Sequence, residues 1–217
     1  MNLTLLDETM WFPPLEHALP DGLLAVGGDL SRERLLLAYR SGIFPWFSDD
    51  EPPLWWSPDP RFVLFPEELK VSKSMKKVIT SGQFEFRTNT AFDQVIQNCM
   101  TVDRPGQDGT WITNDIVAAY TDLYQIGIAH SAEAWQDGQL VGGLYGIRMG
   151  NVFFGESMFS RVSNASKFAF INWVQLLQAQ GARLIDCQVH TEHLESLGAC
   201  MIARQEFTGL LGLLLDK

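Results

Sequence analysis

"IAHSAEAWQDGQLVGGLYGIRMGNVFFGESMFS", residues 128–160, holds three strand-like runs separated by two tight turns. The runs are "IAHSAEAW", "QLVGGLYGIRMG" and "NVFFGESMF". Gly138 and the Gly-Asn pair at 150–151 are natural hairpin turns, because glycine takes the left-handed backbone that two-residue loops require. The stretch therefore predicts an antiparallel meander of three strands. Everything else in the chain has to be arranged around it.

C-terminal to the meander the period changes. Residues 164–180 predict a long helix, with Phe170, Trp173, Val174 and Leu177 on one face and Gly181 where a C′ residue belongs. "RLIDCQV", 183–189, reads as a strand, followed by a short helix near "TEHLESLG" and a last strand-like run. N-terminal to the meander, "TWITNDIVAAYTDLYQIG" predicts an amphipathic helix with Ile112, Ile116, Ala119, Tyr120 and Leu123 on one face. "FVLFP" and "FEFRTN" read as strands. "SKSMKKVITSG" reads as a helix capped by Ser72, and "FDQVIQNCM" as another. Residues 1–62 are rich in Pro, Trp and turns, with one clear helix that Ser31 caps and Gly42 ends.

The fold class is therefore α+β. A small N-terminal α/β domain, 1–62, precedes a larger domain, 63–217, with a mixed, largely antiparallel sheet. The order of helices, meander, helix and strand in the larger part resembles the acetyltransferase-like (GNAT) fold.

The composition suits this. The chain has 217 residues, 46% apolar and 19% charged, long enough for a substantial core and unlike a disordered protein. Its start lacks the basic stretch and apolar run of a signal peptide, and no 18-residue apolar run occurs, so a cytoplasmic protein without a membrane span is expected. Three cysteines, Cys99, Cys187 and Cys200, without C-x-x-C spacing, read as reduced thiols. A net charge of −10 argues against broad nucleic-acid binding but leaves room for a local basic patch, and it suits cationic substrates.

Four features carry possible chemistry. Asp186 and Gln188, at i and i+2, point from one face of a strand that the α/β order makes central; the plain alternative is a solvated edge. Glu156 is an acid in an apolar run and needs a partner, either a structural Lys or Arg or a cationic substrate group. Lys73, Lys76 and Lys77 share one helical face, either as ordinary solvated surface or as a contact to phosphates. The aromatic residues, seven of them Trp, are mostly core but also suit a large apolar pocket.

Other local patterns are weaker. In "HSAE", 130–133, His130 and Ser131 point to opposite faces and make no triad. His190 and His193 lack a third ligand, so no metal is expected. "GGLYGIRMG" lies in a hairpin, not at a strand-to-helix turn. The residues before the long helix, "SRVSNASK", lack the Gly-rich cradle that an acyl-CoA enzyme carries there.

The runs "GLLAVGGDLS", "AYRSGIFPWF", "LWWSPDPR", "GTWI", "AHSAEAW", "LVGGLYG", "FGESMFS", "NASK", "LIDCQV" and "SLGA", between residues 22 and 204, resemble those of the bacterial leucyl/phenylalanyl-tRNA–protein transferase family. The resemblance implies transfer of Leu or Phe, with Met less well, from aminoacyl-tRNA to proteins that begin with Arg or Lys. Such tagging would feed N-degron degradation. It implies no cofactor, since the aminoacyl ester is already activated, and a monomer. By the same resemblance Asp186, Gln188 and Glu156 would be catalytic. Trp46, Trp111, Leu144, Phe153, Ser157, Met158, Trp173, Leu177 and Ile185 would bind substrate, and Lys73, Lys76 and Lys77 would hold the tRNA. Two other readings compete on the residues alone: an acyl-CoA N-acyltransferase, and a non-catalytic tRNA or N-degron adaptor with no use for Asp186 and Gln188.

Overall fold

The computed structural model describes residues 3–102 and 112–215. The meander is present as β7 (Ala129–Gln136), β8 (Gln139–Met149) and β9 (Val152–Ser160). Asp137 and Gly138, both at positive φ, form its first turn. These three strands are the middle of a seven-stranded sheet. Beyond them lie β6 (Glu85–Thr88) on one side, and β10 (Leu184–Gln188), β5 (Arg61–Leu64) and β11 (Cys200–Ile202) on the other. β9 and β10 pair parallel, and every other pair is antiparallel. The sheet is thus mixed and largely antiparallel, as the sequence suggests.

A second, four-stranded sheet contains β1 (Thr4–Leu6), β2 (Leu23–Gly27), β4 (Leu54–Trp56) and β3 (Phe44–Pro45), in that order. The helix α1 (Arg32–Arg40) belongs to this part, and its Ser31 cap accepts the Arg34 N–H. Its Tyr39 and Leu35 join one continuous apolar core with α3 (Phe92–Thr101) and α4 (Asn114–Gln125) on one face of the large sheet. On the other face α2 (Lys73–Thr80) and α5 (Ala165–Ala179) bury Met75, Phe168, Ala169 and Trp173. Covering both faces is what allows β8 to be apolar along nearly its whole length.

Three sequence expectations need correction. The helix read from residue 110 onward starts at Asn114, because the Thr113 hydroxyl accepts the Ile116 N–H and ends the preceding extended chain. Ile112 is buried just before it. The short helix near "TEHLESLG" is α6 (Glu192–Glu195), and where the sequence reading ends on a strand-like run, β11 is followed by a further helix, α7 (Arg204–Leu214), which buries Phe207 and Leu211. Finally, the strict alternation expected of β9 is broken.

Tyr145 faces Ser157 but Gly146 faces Gly155, which leaves Glu156 as the extra residue of a β-bulge. The sequence puts Phe154, Glu156 and Met158 on one face. The bulge separates them: Phe154 and Phe159 lie on the α3 and α4 side, whereas Phe153 and Met158 lie on the α5 side. Gly146 is required opposite the bulge, since a Cβ there would sit 2.2 Å from the Phe154 carbonyl oxygen.

Candidate active site

Parallel pairing of β9 with β10 runs through Leu184–Val152, Ile185–Phe153 and Asp186–Phe154 and stops there. Both strands continue past that point, and β10 carries a bulge of its own. Asp186 faces Val63 of β5 and Gln188 faces Phe62, so Cys187 is extra. Two bulges at one level of neighbouring strands re-aim their side chains into the gap between them. The gap is a cavity of about 650 Å³, within the ~300–1,000 Å³ typical of small-molecule sites.

The structure brings together most of the residues singled out from the sequence. Trp46, Leu144, Ser157, Met158 and Ile185 line the cavity, and so do Glu156, Asp186 and Gln188. Phe153, Trp173 and Leu177 do not; they are buried in the core on the α5 side, where Phe153 and Trp173 meet edge to face at 5.4 Å. Their place in the wall is taken by Phe170, one turn away on α5. Trp111 lies outside the described residues. Lys73, Lys76 and Lys77 are exposed on α2 and do not line the cavity.

Glu156 meets no cation among the described residues. Tyr39 Oη donates to its Oε1 at 2.7 Å, Tyr120 Oη to its Oε2 at 3.0 Å, and Gln188 Nε2 to Oε1 at 2.9 Å. The two tyrosine hydroxyls also hydrogen-bond each other. Burial pushes Glu156 from an ordinary 4.5 to about 8 despite the three donors. Burial, then the Glu156 charge, raises both tyrosines. The expected Lys or Arg partner is therefore replaced by a ring of neutral hydroxyls.

Asp186 is fully buried and paired with Arg61, Nε to Oδ1 at 2.8 Å and Nη2 to Oδ2 at 2.7 Å. The solvated-edge reading fails because β10 lies between β5 and β9. The remaining lone pairs of Oδ1 accept the backbone N–H of Gln188 at 2.9 Å. Gln188 sits at φ 63°, a left-handed conformation that costs a non-glycine residue about 1–3 kcal/mol. Its side-chain amide commits an N–H to Glu156, Gln188 lines the cavity, and its Oε1 has no hydrogen-bond donor among the described residues.

Two further side chains of the wall, Cys187 and His193, stay uncharged. Cys187 lines the cavity, but burial holds its thiol protonated. His193 also lines it, neutral because burial and then Lys167 push its imidazole down. In "HSAE", Ser131 donates to Glu133 while His130 bonds Asn89, so no triad forms. Glu133 instead caps the start of α3, accepting from Thr90 and Ala91. Among the described residues no three His, Cys, Asp or Glu side chains cluster as a metal site requires.

Sequence reasoning missed Arg61, Tyr39, Tyr120 and Phe170. "PDPR" carries no sign that Arg61 is buried, and Tyr120 reads as part of the apolar face of its helix.

The family model described as leucyl/phenylalanyl-tRNA protein transferase matches residues 63–212, and the model of that family's N-terminal domain matches 28–59. A leucyl/phenylalanyl-tRNA–protein transferase of Chromobacterium violaceum is 58% identical over 202 residues, covering 92% of this chain and 86% of the relative. One from Nitrosomonas eutropha is 57% identical over 219 residues, covering 100% and 93%. Among solved structures, a GCN5-related N-acetyltransferase-like protein from Streptococcus suis superposes with a TM-score of 0.37 at 14% identity, covering 75% of this chain and 60% of that one.

Proposed function

This chain belongs to the leucyl/phenylalanyl-tRNA–protein transferase family, and we propose that it joins the aminoacyl group of an aminoacyl-tRNA to a protein's N-terminus within the cavity between β9 and β10. The aminoacyl group is Leu or Phe, with Met used less well. The acceptor begins with Arg or Lys, and the product is a tagged protein destined for N-degron degradation in the cytoplasm. The enzyme acts as a monomer, with residues 1–62 as a small domain beside a catalytic one, 63–217. No cofactor is used.

The observation that carries this reading is the pairing of an apolar wall with two polar groups at one bulged level. Leu144, Met158, Phe170 and Ile185 supply apolar wall, and Glu156 and Gln188 line the same cavity. The wall suits a Leu or Phe side chain, and discrimination against a neighbour that differs by a methylene amounts to ~1–3 kcal/mol. That small difference accounts for tolerance of Met.

The chemistry is aminolysis. The neutral α-amine attacks the ester carbonyl, a C–N bond forms, and the C–O bond to the terminal ribose breaks. The amine's proton passes to the departing ribose oxygen. A free α-amine with a pKa of about 7.7–8.0 is partly neutral near pH 7, so alignment is the enzyme's main contribution. Gln188 Oε1 accepts a hydrogen bond from the attacking amine and points its lone pair at the carbonyl. Glu156, once ionised, draws the acceptor's cationic end. Asp186 acts on Gln188. Lys73, Lys76 and Lys77 hold the acceptor stem through phosphates, with little sequence readout.

Incubation of the purified chain with labelled Leu-tRNA and an Arg-starting peptide tests this. Labelled peptide is the expected product. Absence of transfer, or acetylation of the same peptide from acetyl-CoA, overturns it.

A further inference from the structure

We infer that Arg61, packed against Phe44 and Phe207, is the positioning residue that sets the reactive geometry of Gln188 by way of Asp186. The inference rests on the function proposed above, since it concerns the same site.

Arg61 is 1% exposed, and each of its three guanidinium nitrogens donates a hydrogen bond. Nε and Nη2 form the two-pronged contact with Asp186, and Nη1 donates to the Gly42 carbonyl at 3.1 Å. Two rings pack against the guanidinium, whose Cζ lies over Phe44 at 4.7 Å and over Phe207 at 4.6 Å from the ring centres. Three segments distant in sequence thus converge on one side chain: the stretch from the turn after α1 into β3, which supplies Gly42 and Phe44, then β10 and α7. Gly42, at φ 77°, leaves room for this packing, because a Cβ there would press within 3.1 Å of the Phe207 ring.

The consequence runs along β10. Arg61 fixes both carboxylate oxygens of Asp186, and the fixed Oδ1 holds the Gln188 backbone N–H in its left-handed conformation. That conformation turns the side-chain amide across the gap to Glu156. Asp186 therefore acts on the backbone of Gln188, not on its amide. A planar fork is needed for this; a lysine has the charge but offers a single point of attachment. The C-terminal helix α7 is thereby part of the catalytic apparatus, although none of its residues lines the cavity.

The test uses Arg61→Lys and Phe207→Leu. The second keeps both charges and serves if the first fails to fold. In the transfer assay each should lower kcat, Arg61→Lys by about 10- to 100-fold, with KM for Leu-tRNA within about twofold. In a Gln188→Ala background Arg61→Lys should cost nothing further, because both changes disable one unit. Full additivity, or an unchanged kcat in folded protein, overturns the inference. A wild-type chain without transfer activity defeats the functional reading instead. The inference is then judged by NMR, on the Gln188 side-chain amide signals assigned by their loss in Gln188→Ala. They should move in both variants, and signals that stay in place overturn it.

Discussion

Gln188 reaches from β10 to Glu156 on β9, amide nitrogen to carboxyl oxygen at 2.9 Å, across the gap where the two strands cease to pair. The contact joins two bulged strands at the cavity wall. It also sorts the amide's two ends: the nitrogen is engaged, and the oxygen is free for a substrate donor. Removing the amide should therefore remove alignment and leave binding intact. Gln188→Ala is expected to lower kcat on the order of 100-fold, with the dissociation constant for Leu-tRNA changed less than threefold. Rapid-quench assays at saturating tRNA, beside filter binding, check this. A loss confined to binding would reverse the assignment.

Asp186 calls for a different substitution. Asp186→Ala leaves the Arg61 charge buried without its partner, which costs about 3–5 kcal/mol of stability, and so mixes folding with catalysis. Asp186→Asn keeps the shape and an acceptor oxygen for the Gln188 N–H. It is expected to fold, with a lower melting temperature, and to retain more activity than Asp186→Ala per folded molecule. Thermal denaturation with active-site titration separates the two effects. Equal activity per folded molecule would show that Asp186 contributes only to stability.

Much of this arrangement was legible in the sequence, and the remainder has specific physical reasons for escaping. Turn residues and periodicity mark the meander and most helices, because Gly138, Ser72 and Ser31 each perform a local backbone task. The helix α7 escaped because Gly209 and Gly212 weaken its helical signal. Nothing lies within 4 Å of where their side chains would be, so no packing reason marks them either. Both bulges escaped because a one-residue slip leaves no trace in composition, yet it reverses every face beyond it. Arg61 and Asp186 are 125 positions apart, and no local pattern announces such a pair. Phe153, Trp173 and Leu177 carry the correct apolar character, but that character fits a core as well as a cavity wall.

The raised pKa of Glu156 predicts a pH dependence of stability with a definite sign. Below about 4.5 the carboxyl is protonated whether the chain is folded or not. Between there and about 8 the folded protein keeps a proton that the unfolded chain releases. Stability therefore falls as pH rises through that window and levels off above it. His130 and His193, both lowered by burial, act in the opposite sense near their unfolded value of 6.5. The difference between wild type and Glu156→Gln isolates the carboxyl. Chemical denaturation at pH 5 and pH 8 should show the variant gaining on the wild type as pH rises. Parallel curves would mean that Glu156 titrates normally.

Side-chain choice should respond to Leu144. It is 2% exposed and lines the same cavity as the polar pair. Leu144→Phe fills part of the space available to the transferred side chain. It is expected to lower kcat/KM for Phe-tRNA more than for Leu-tRNA, by about 10- to 100-fold, or ~1–3 kcal/mol. Competition between the two charged tRNAs gives the ratio directly. An unchanged ratio would place the aminoacyl side chain elsewhere.

The basic helix offers a test in which stability and function move apart. Lys73 is the first residue of α2, followed by Lys76 and Lys77, with no acid in the first turn. A cation at a helix N-terminus opposes the macrodipole, at ~0.3–1 kcal/mol for an exposed site. Helix stability therefore gives no reason for a lysine at 73, whereas a phosphate contact does. Met75 is buried on the inner side of α2 while all three lysines are exposed. Lys73→Glu is expected to leave the protein as stable as before, or slightly more so, while weakening tRNA binding. Each lysine removed should reduce the slope of log K against log salt by about 0.7–0.9. Weakening should be the same for tRNAs of different sequence, because phosphates carry no sequence information. Titrations at several salt concentrations measure the slope. If Lys73→Glu and Lys77→Glu leave it unchanged, α2 does not touch the tRNA and its lysines are only solvated surface.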